Sequence, residues 1–322
     1  MIPPAESTAP PRSDAESEIP AAAASGSTSS ADRTDRGPAV LNAFSIDVED
    51  YYHVSVFRRG VAAAEWGGFE SRVERNVDVL LGLCADHDVK ATFFVLGDVA
   101  RRFPALVRGV AGAGHEIASH GMTHEKLTEL SRAAARDEIR TSKALLEDIT
   151  GRAVRGFRAP SFSIVRSSLW ALDDLVEAGY AYDSSIFPIG RPDYGIADAP
   201  RDPYVATTPA GRRITEFPLT VAPWCGKPVP VAGGGYFRLL PYAVTAWGFR
   251  RVNAAGRAGM FYLHPWEIDP GQPDLRARTS RLGGFRHYTG LKGMESKLRR
   301  LLAEFRFGTA VAVLAERGFP TA

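Results

Sequence analysis

The sequence predicts an α/β fold of parallel βαβ units closing into a distorted (β/α) barrel. Two observations predict the class. From residue 39 onward, short apolar runs alternate with amphipathic helical stretches, the signature of strands joined by crossover helices. The polar residues suited to chemistry fall where those apolar runs end, as they do on the rim of a parallel barrel. A third observation sets the distortion: residues 186–257 are rich in Pro and Gly and irregular. The 322 residues, 45% apolar and 24% charged, suit one large globular domain or two small ones.

Taken in order, residues 1–38 are rich in Pro, Ala, Ser and Asp and read as a disordered low-complexity tail. The tail has no charged stretch followed by an apolar one, so it is not read as a secretion signal. No apolar run approaches the ~20 residues of a membrane span. The expectation is a cytoplasmic protein without a transmembrane segment.

"AVLNAFSID" (39–47) is a strand ending on an acid. In "SRVERNVDVLLGLCADHD" (71–88), Val73, Val77, Leu80, Leu81 and Cys84 share one helical face. Ser71 and Glu74 suggest a capping box at its start. "KATFFVLG" (90–97) is a buried strand, and the helix that follows is interrupted at Pro104. "HEIASH" (115–120) is a third strand. Residues 131–149 form a helix with Ser131 as N-cap. "GFRAP" stops at Pro160, a helix over about 167–178 ends before Gly179, and "YAYDSS" returns as a strand. "RRITEFPLTV" and "AGMFYLH" are later strands, and Leu291, Met294, Leu298, Leu301 and Phe305 mark a final long helix.

The formal net charge is +2, which gives no global field for nucleic acid. "RRVNAAGR" and "KLRRLLAEFR" read as solvated helix faces. Cys84 reads as core and Cys225 lies in a turn-rich segment. The pair makes no metal knuckle, and a single bridge between them is left open.

The strand ends bring the chemistry together. "SIDVED" sets Asp47, Glu49 and Asp50 within four residues. Alone this is a solvated acidic turn; on a rim it is a metal carboxylate plus a general base, two jobs that need different groups. His120 and His124 are four apart across Gly121, a spacing that lets two imidazoles reach one ion. His115, five residues before His120 on the same strand, faces the other way. Arg158, before Pro160, is a surface ion pair or a partner that fixes a carboxylate by a forked hydrogen bond. His264 follows the apolar "MFYL".

In this order, "SIDVED", "SHGMTH", "RAP" and "LHP" resemble the motifs of the polysaccharide deacetylase family with its NodB homology domain. "KATFFVLG" and "GHEIASH" extend the likeness. "EFPLTV", "VAGGGYFRLLPY", "HPWEIDP", "FRHYTGL" and "LLAEFRFGT" resemble the subgroup found at exosortase (PEP-CTERM) exopolysaccharide loci. The resemblance implies a seven-stranded distorted barrel over residues 39–322, with an integrated C-terminal extension at about 214–310.

The implied activity is metal-dependent removal of N-acetyl groups from N-acetylhexosamine units, usually with Zn²⁺. Asp47 would be the general base, Arg158 its tuning partner and His264 the general acid. His120 and His124 would bind metal, with Glu49 or Asp50 as third ligand; the spacing favours Glu49. Ser161 would offer its N–H to the oxyanion in place of a Tyr common in the family. Trp266 would stack on a sugar, as would Tyr51, Tyr52 or Trp224. Pro265 stands where many members carry an Asp, leaving His264 without its usual acid. Asp183 loosely matches a further motif. The implied substrate is an N-acetylated oligo- or polysaccharide or a lipid-linked precursor. The alternatives are a C–N hydrolase of a small cyclic amide and a catalytically silent glycan-binding barrel.

Overall fold

The first half of the chain alternates strand and helix as its periodicity predicts. In the computed structural model, which describes residues 40–191 and 194–321, β1 (Asn42–Val48) is followed by α1 (Val73–Asp86), β2 (Thr92–Val95), α2 (Gly97–Arg102), α3 (Pro104–Gly112), β3 (Glu116–Ser119), α4 (Arg132–Thr150), β4 (Gly156–Phe157), α5 (Ala171–Glu177) and β5 (Tyr182–Asp183). Residues 1–38, read as a tail, lie outside the described residues.

The second half holds more regular structure than its Pro and Gly content suggests. It contains β6 (Tyr204–Thr207), β7 (Arg213–Glu216), β8 (Val221–Trp224), β9 (Lys227–Pro230), α6 (Gly234–Leu239), α7 (Tyr242–Ala254), β10 (Met260–Leu263), α8 (Arg281–Tyr288), α9 (Met294–Glu304), β11 (Phe307–Gly308) and α10 (Ala310–Glu316). "RRITEFPLTV" divides between β7 and β8 at Pro218. Among the described residues no helix is long and apolar enough to cross a membrane.

The main sheet runs β10-β1-β2-β3-β4-β5-β7-β6, with β11 beside β1. The path from β10 to β7 is seven parallel strands, the number the family resemblance implies. β6 adds an antiparallel edge. The sheet curls but β7 and β10 do not pair. Thr220, just past β7, spans this seam: its hydroxyl donates to the Met260 carbonyl at 2.9 Å and accepts from the Met260 N–H at 2.5 Å.

Strand alternation decides what faces inward. Phe44, Ile46, Phe93, Ile117, Phe157, Phe261 and Leu263 pack in the core between sheet and helices. Their neighbours Ala43, Phe94, Ala118, Tyr182 and Met260 fill the barrel interior with Ala310, Val313 and Leu314 of α10. Continuing the inward parity carries Asp47, His120, Arg158 and His264 to the same end of the barrel, beyond the last apolar layer.

Pro104 starts α3 at its first position, where the missing N–H costs nothing. Ser131 caps α4 by accepting from Ala134 N–H. The start of α1 differs from expectation. Ser71 donates its hydroxyl to Asp50, and the Asp50 carboxylate accepts the Arg72 N–H at 3.1 Å. The helix is therefore capped from the end of β1, and Ser71–Glu74 is not a capping box. Cys84 is buried, Cys225 exposed, and both are free thiols.

Candidate metal centre and active site

β1, β3 and the loop after β3 build the centre. Glu49 follows β1 and is 1% exposed. His120 follows β3, and Gly121, with φ +76°, turns the chain so that His124 comes back to the same place. His124 itself adopts φ +57°, a strained position for a non-glycine residue. One ligand atom from each of Glu49, His120 and His124 lies within 4.8 Å of the others.

The donor set suits a divalent cation. His120 Nδ1–H donates to the Arg158 carbonyl at 2.8 Å, so Nε2 is the free lone pair, the arrangement that orients a ligating imidazole. Burial is the main cause that pushes the His120 pKa down to about 4, which keeps it neutral. Burial would raise the Glu49 carboxyl, but the surrounding imidazoles hold it well below the usual carboxylate range. His124 Nε2 lies 2.7 Å from Glu49 Oε2, yet that buried oxygen accepts no well-formed hydrogen bond. Two imidazoles and one carboxylate are a common set for Zn²⁺ with open positions left over. Asp50, the alternative to Glu49, is spent on Tyr51 N–H, Ser71 and Arg72 N–H and is not in the cluster.

Two charged pairs flank the cluster. Arg158, fully buried, donates from Nη1 to Asp47 Oδ1 at 2.5 Å. The contact is single, not forked. The other guanidinium bonds go to the Ser184 carbonyl and hydroxyl, the Ser45 hydroxyl and the Met260 sulfur, and the group lies 4.0 Å over the Phe94 ring. Opposite, His264 Nε2 is 4.0 Å from Asp47 Oδ2 and 3.7 Å from Glu49 Oε1. Its Nδ1 is 3.1 Å from Glu267 Oε2, and Glu267 also accepts the His264 backbone N–H at 3.0 Å. Burial lowers the His264 pKa, but Glu49, Glu267 and Asp47 outweigh it and raise it to about 9.

Glu267 and its partner Arg238 escaped the sequence reading. Arg238 Nε donates to Glu267 Oε1 at 2.7 Å, so Glu267 supplies the acid that Pro265 does not. The His-Pro-Trp-Glu spacing is a detectable signal, since a helical turn brings i and i+3 together. Nothing local marks Arg238, in a stretch read as irregular. Gly234 explains part of "AGGGYFR": a Cβ there would lie 1.6 Å from Glu267 Oε2.

Trp266 does not offer a face to a sugar. It is 4% exposed, stacked between His264 and His287, and its N–H donates to Glu49 Oε1 at 3.2 Å. Tyr51 and Tyr52 are buried. Ser161 lies in a turn after β4 where it and Phe162 both have φ +54°, and its hydroxyl is 2.5 Å from that of Ser55. Its N–H, near the start of that turn, has no partner within the turn. Asp183 points to the outer face and pairs with Glu216 across β5 and β7. His115 turns away as parity requires, accepting the Ala91 N–H at 3.0 Å.

A curled barrel of parallel strands with a His/Glu cluster at its strand ends defines an α/β-barrel protein able to hold a metal. Residues 68–182 match the family described as polysaccharide deacetylase, and residues 184–315 match a domain of unknown function, DUF3473. Over that first segment the chain is similar to the polysaccharide deacetylases.

It is 34% identical over 95 residues to a peptidoglycan-N-acetylglucosamine deacetylase of Bacillus cereus, covering 29% of this chain and 34% of that one. It is 42% identical over 80 residues to a chitooligosaccharide deacetylase of Rhizobium leguminosarum, covering 24% and 37%. The chain thus spans about a third of the length of these curated relatives. A Mycobacterium smegmatis crystal structure named for the polysaccharide deacetylases has the same fold, with a TM-score of 0.58 at 20% identity over 89% of this chain and 94% of that one. So does the crystal structure of PuuE allantoinase, at 0.56 and 15% over 87% and 93%. Asp47 and Glu49 precede the first matched segment, His120, His124 and Arg158 lie in it, and His264, Glu267 and Arg238 lie in the segment of unknown function.

Proposed function

We propose that the chain is a metal-dependent carbohydrate N-deacetylase, acting on N-acetylhexosamine units of an exopolysaccharide or its lipid-linked precursor. One observation carries the reading: Asp47, paired with Arg158, and His264, paired with Glu267, face each other across 4.0 Å beside the Glu49–His120–His124 cluster. Amide hydrolysis needs both a base for the attacking water and an acid for the departing amine. The names of the Bacillus and Rhizobium relatives point to N-acetylated glycans, and the C-terminal motifs favour an exopolysaccharide among them.

Glu49, His120 and His124 would hold a divalent cation, Zn²⁺ by donor type. Bound there, such a cation polarises the acetyl carbonyl and makes water more acidic. Asp47 Oδ2 takes the proton of the attacking water while Oδ1 stays on Arg158, which fixes the carboxylate. Ser161 N–H is the donor for the carbonyl oxygen as it gains charge. His264 Nε2 gives its proton to the amine nitrogen as the C–N bond breaks, and Nδ1–H remains on Glu267. The products are acetate and a free hexosamine.

The test is acetate release from N-acetylated chitooligosaccharide with and without chelator, together with metal analysis. Chelation abolishes release. His120→Ala and Glu49→Gln lose the bound metal, whereas Asp50→Asn retains it. Equal metal content in wild type, H120A and E49Q removes the centre.

A further inference from the structure

Residues 275–292 contain five arginines and lysines and no acid, in a chain whose formal charge is only +2. α8 lies in the middle of this run. Its Leu282 and Phe285 are 63% and 61% exposed, the highest values among the large hydrophobics of the described residues. Three positions apart, they stand on one side of the helix. Arg281 and Arg286 flank them, exposed and without an ion-pair partner among the described residues. α6 packs on α8.

Arg276 and Arg278 are paired with Asp274 and Glu65, but exposed apolar side chains flanked by two unpaired arginines are the chemistry of an anionic bilayer surface. The apolar groups enter the headgroup–acyl boundary and the guanidinium groups meet lipid phosphates. The other side of α8 is fastened to the candidate centre. His287 stacks on Trp266 with 4.2 Å between ring centroids, and Trp266 stacks on His264 at 5.2 Å. Arg238 Nη1 donates to the carbonyls of Arg286, His287 and Thr289 while its Nε holds Glu267. A surface bound through α8 is thus one layer of rings away from His264.

We propose that α8 and its basic flanks dock the protein on an anionic lipid bilayer. The proposal goes beyond the deacetylase reading and does not depend on it, because its readout is binding.

The experiment is co-sedimentation of the full chain with phosphatidylcholine vesicles, with and without about one-third phosphatidylglycerol, at low and physiological salt. Wild type sediments with the anionic vesicles, less so as salt rises, and not with phosphatidylcholine alone. R281Q/R286Q lowers the partition coefficient about 25-fold, roughly fivefold per cation. L282S/F285S lowers it about tenfold or more, and circular dichroism of both variants matches wild type.

Absence of wild-type sedimentation overturns the proposal, as does undiminished binding of L282S/F285S. If alginate, a soluble acidic glycan, binds as tightly as the vesicles and L282S/F285S does not weaken it, the surface recognises polyanions and lipid docking is wrong. Self-association that L282S/F285S abolishes, seen by light scattering without vesicles, makes the face a contact between copies and overturns it equally.

Discussion

Glu267 lies between a guanidinium and an imidazole and is buried. Burial would raise its carboxyl, but Arg238 and His264 together hold it down at about 2. It therefore keeps a negative charge under the His264 ring and fixes the proton on Nδ1, leaving Nε2 for the substrate. Glu267→Gln keeps the shape and removes the charge. Acetate release from an N-acetyl amide falls about 100-fold or more, with metal content unchanged. An aryl acetate, whose phenolate leaves without a proton, loses far less. The sign of the pH effect follows. His264, raised to about 9, is protonated below that value and loses its acid function above it. Without Glu267 this descending limb moves to lower pH.

His120 was legible because it follows an apolar run and shares its inward parity, and His124 because it stands four residues further on across Gly121. Glu49 and Asp50 were not separable by spacing, since what distinguishes them is the start of α1: the Arg72 N–H and the Ser71 hydroxyl claim Asp50. Arg238 was illegible because it reaches Glu267 from 29 residues away.

Among the elements, β5 and β7 carry an unusual pairing. Their register sets Asp183 opposite Glu216, both buried. Ser185 satisfies Asp183, and Ile186 N–H reaches one oxygen of Glu216; the other Glu216 oxygen has no partner. Burial raises Asp183 to about 6 and Glu216 well above its ordinary value. A carboxyl whose folded pKa is raised binds its proton more tightly folded than unfolded. Stability therefore falls as pH rises from about 4, where the unfolded Asp183 ionises, through about 6, and further for Glu216. Glu216→Gln mimics the protonated partner. Its thermal midpoint should exceed that of wild type by a few degrees near pH 8 and differ little near pH 5; a parallel pH dependence in both proteins would show the pair to be irrelevant.

Of the helices, α8 and α10 were not anticipated, but α1, α4, α5, α9 and the first strands followed from periodicity alone. β6, β9 and α6 did not, because short elements rich in Gly and Pro are held by tertiary contacts that no local pattern announces. The hydroxyl of Thr220, not a strand pairing, bridges the seam between β7 and β10, and that too has no local signature.

At the scale of the whole molecule, the segment of unknown function is not an appendage. It supplies β10, which lies against β1 over Ala43–Ile46, and it supplies His264 with its two supporting charges. A fragment ending at residue 183 would expose the β10-facing edge of β1 and the outward apolar side chains of that strand. Expressed alone, it should lack cooperative thermal unfolding and be cut rapidly by protease; a cooperative transition would mean that the first half is self-sufficient.

The position of β1 has a temporal consequence. The ribosome makes this strand well before β10 and β11, which take one of its two hydrogen-bonding edges. Until those distant residues emerge, the nascent polypeptide carries an open, sticky border that could recruit a neighbouring chain. Yield in the cell should thus depend on holding factors that shield this border during translation.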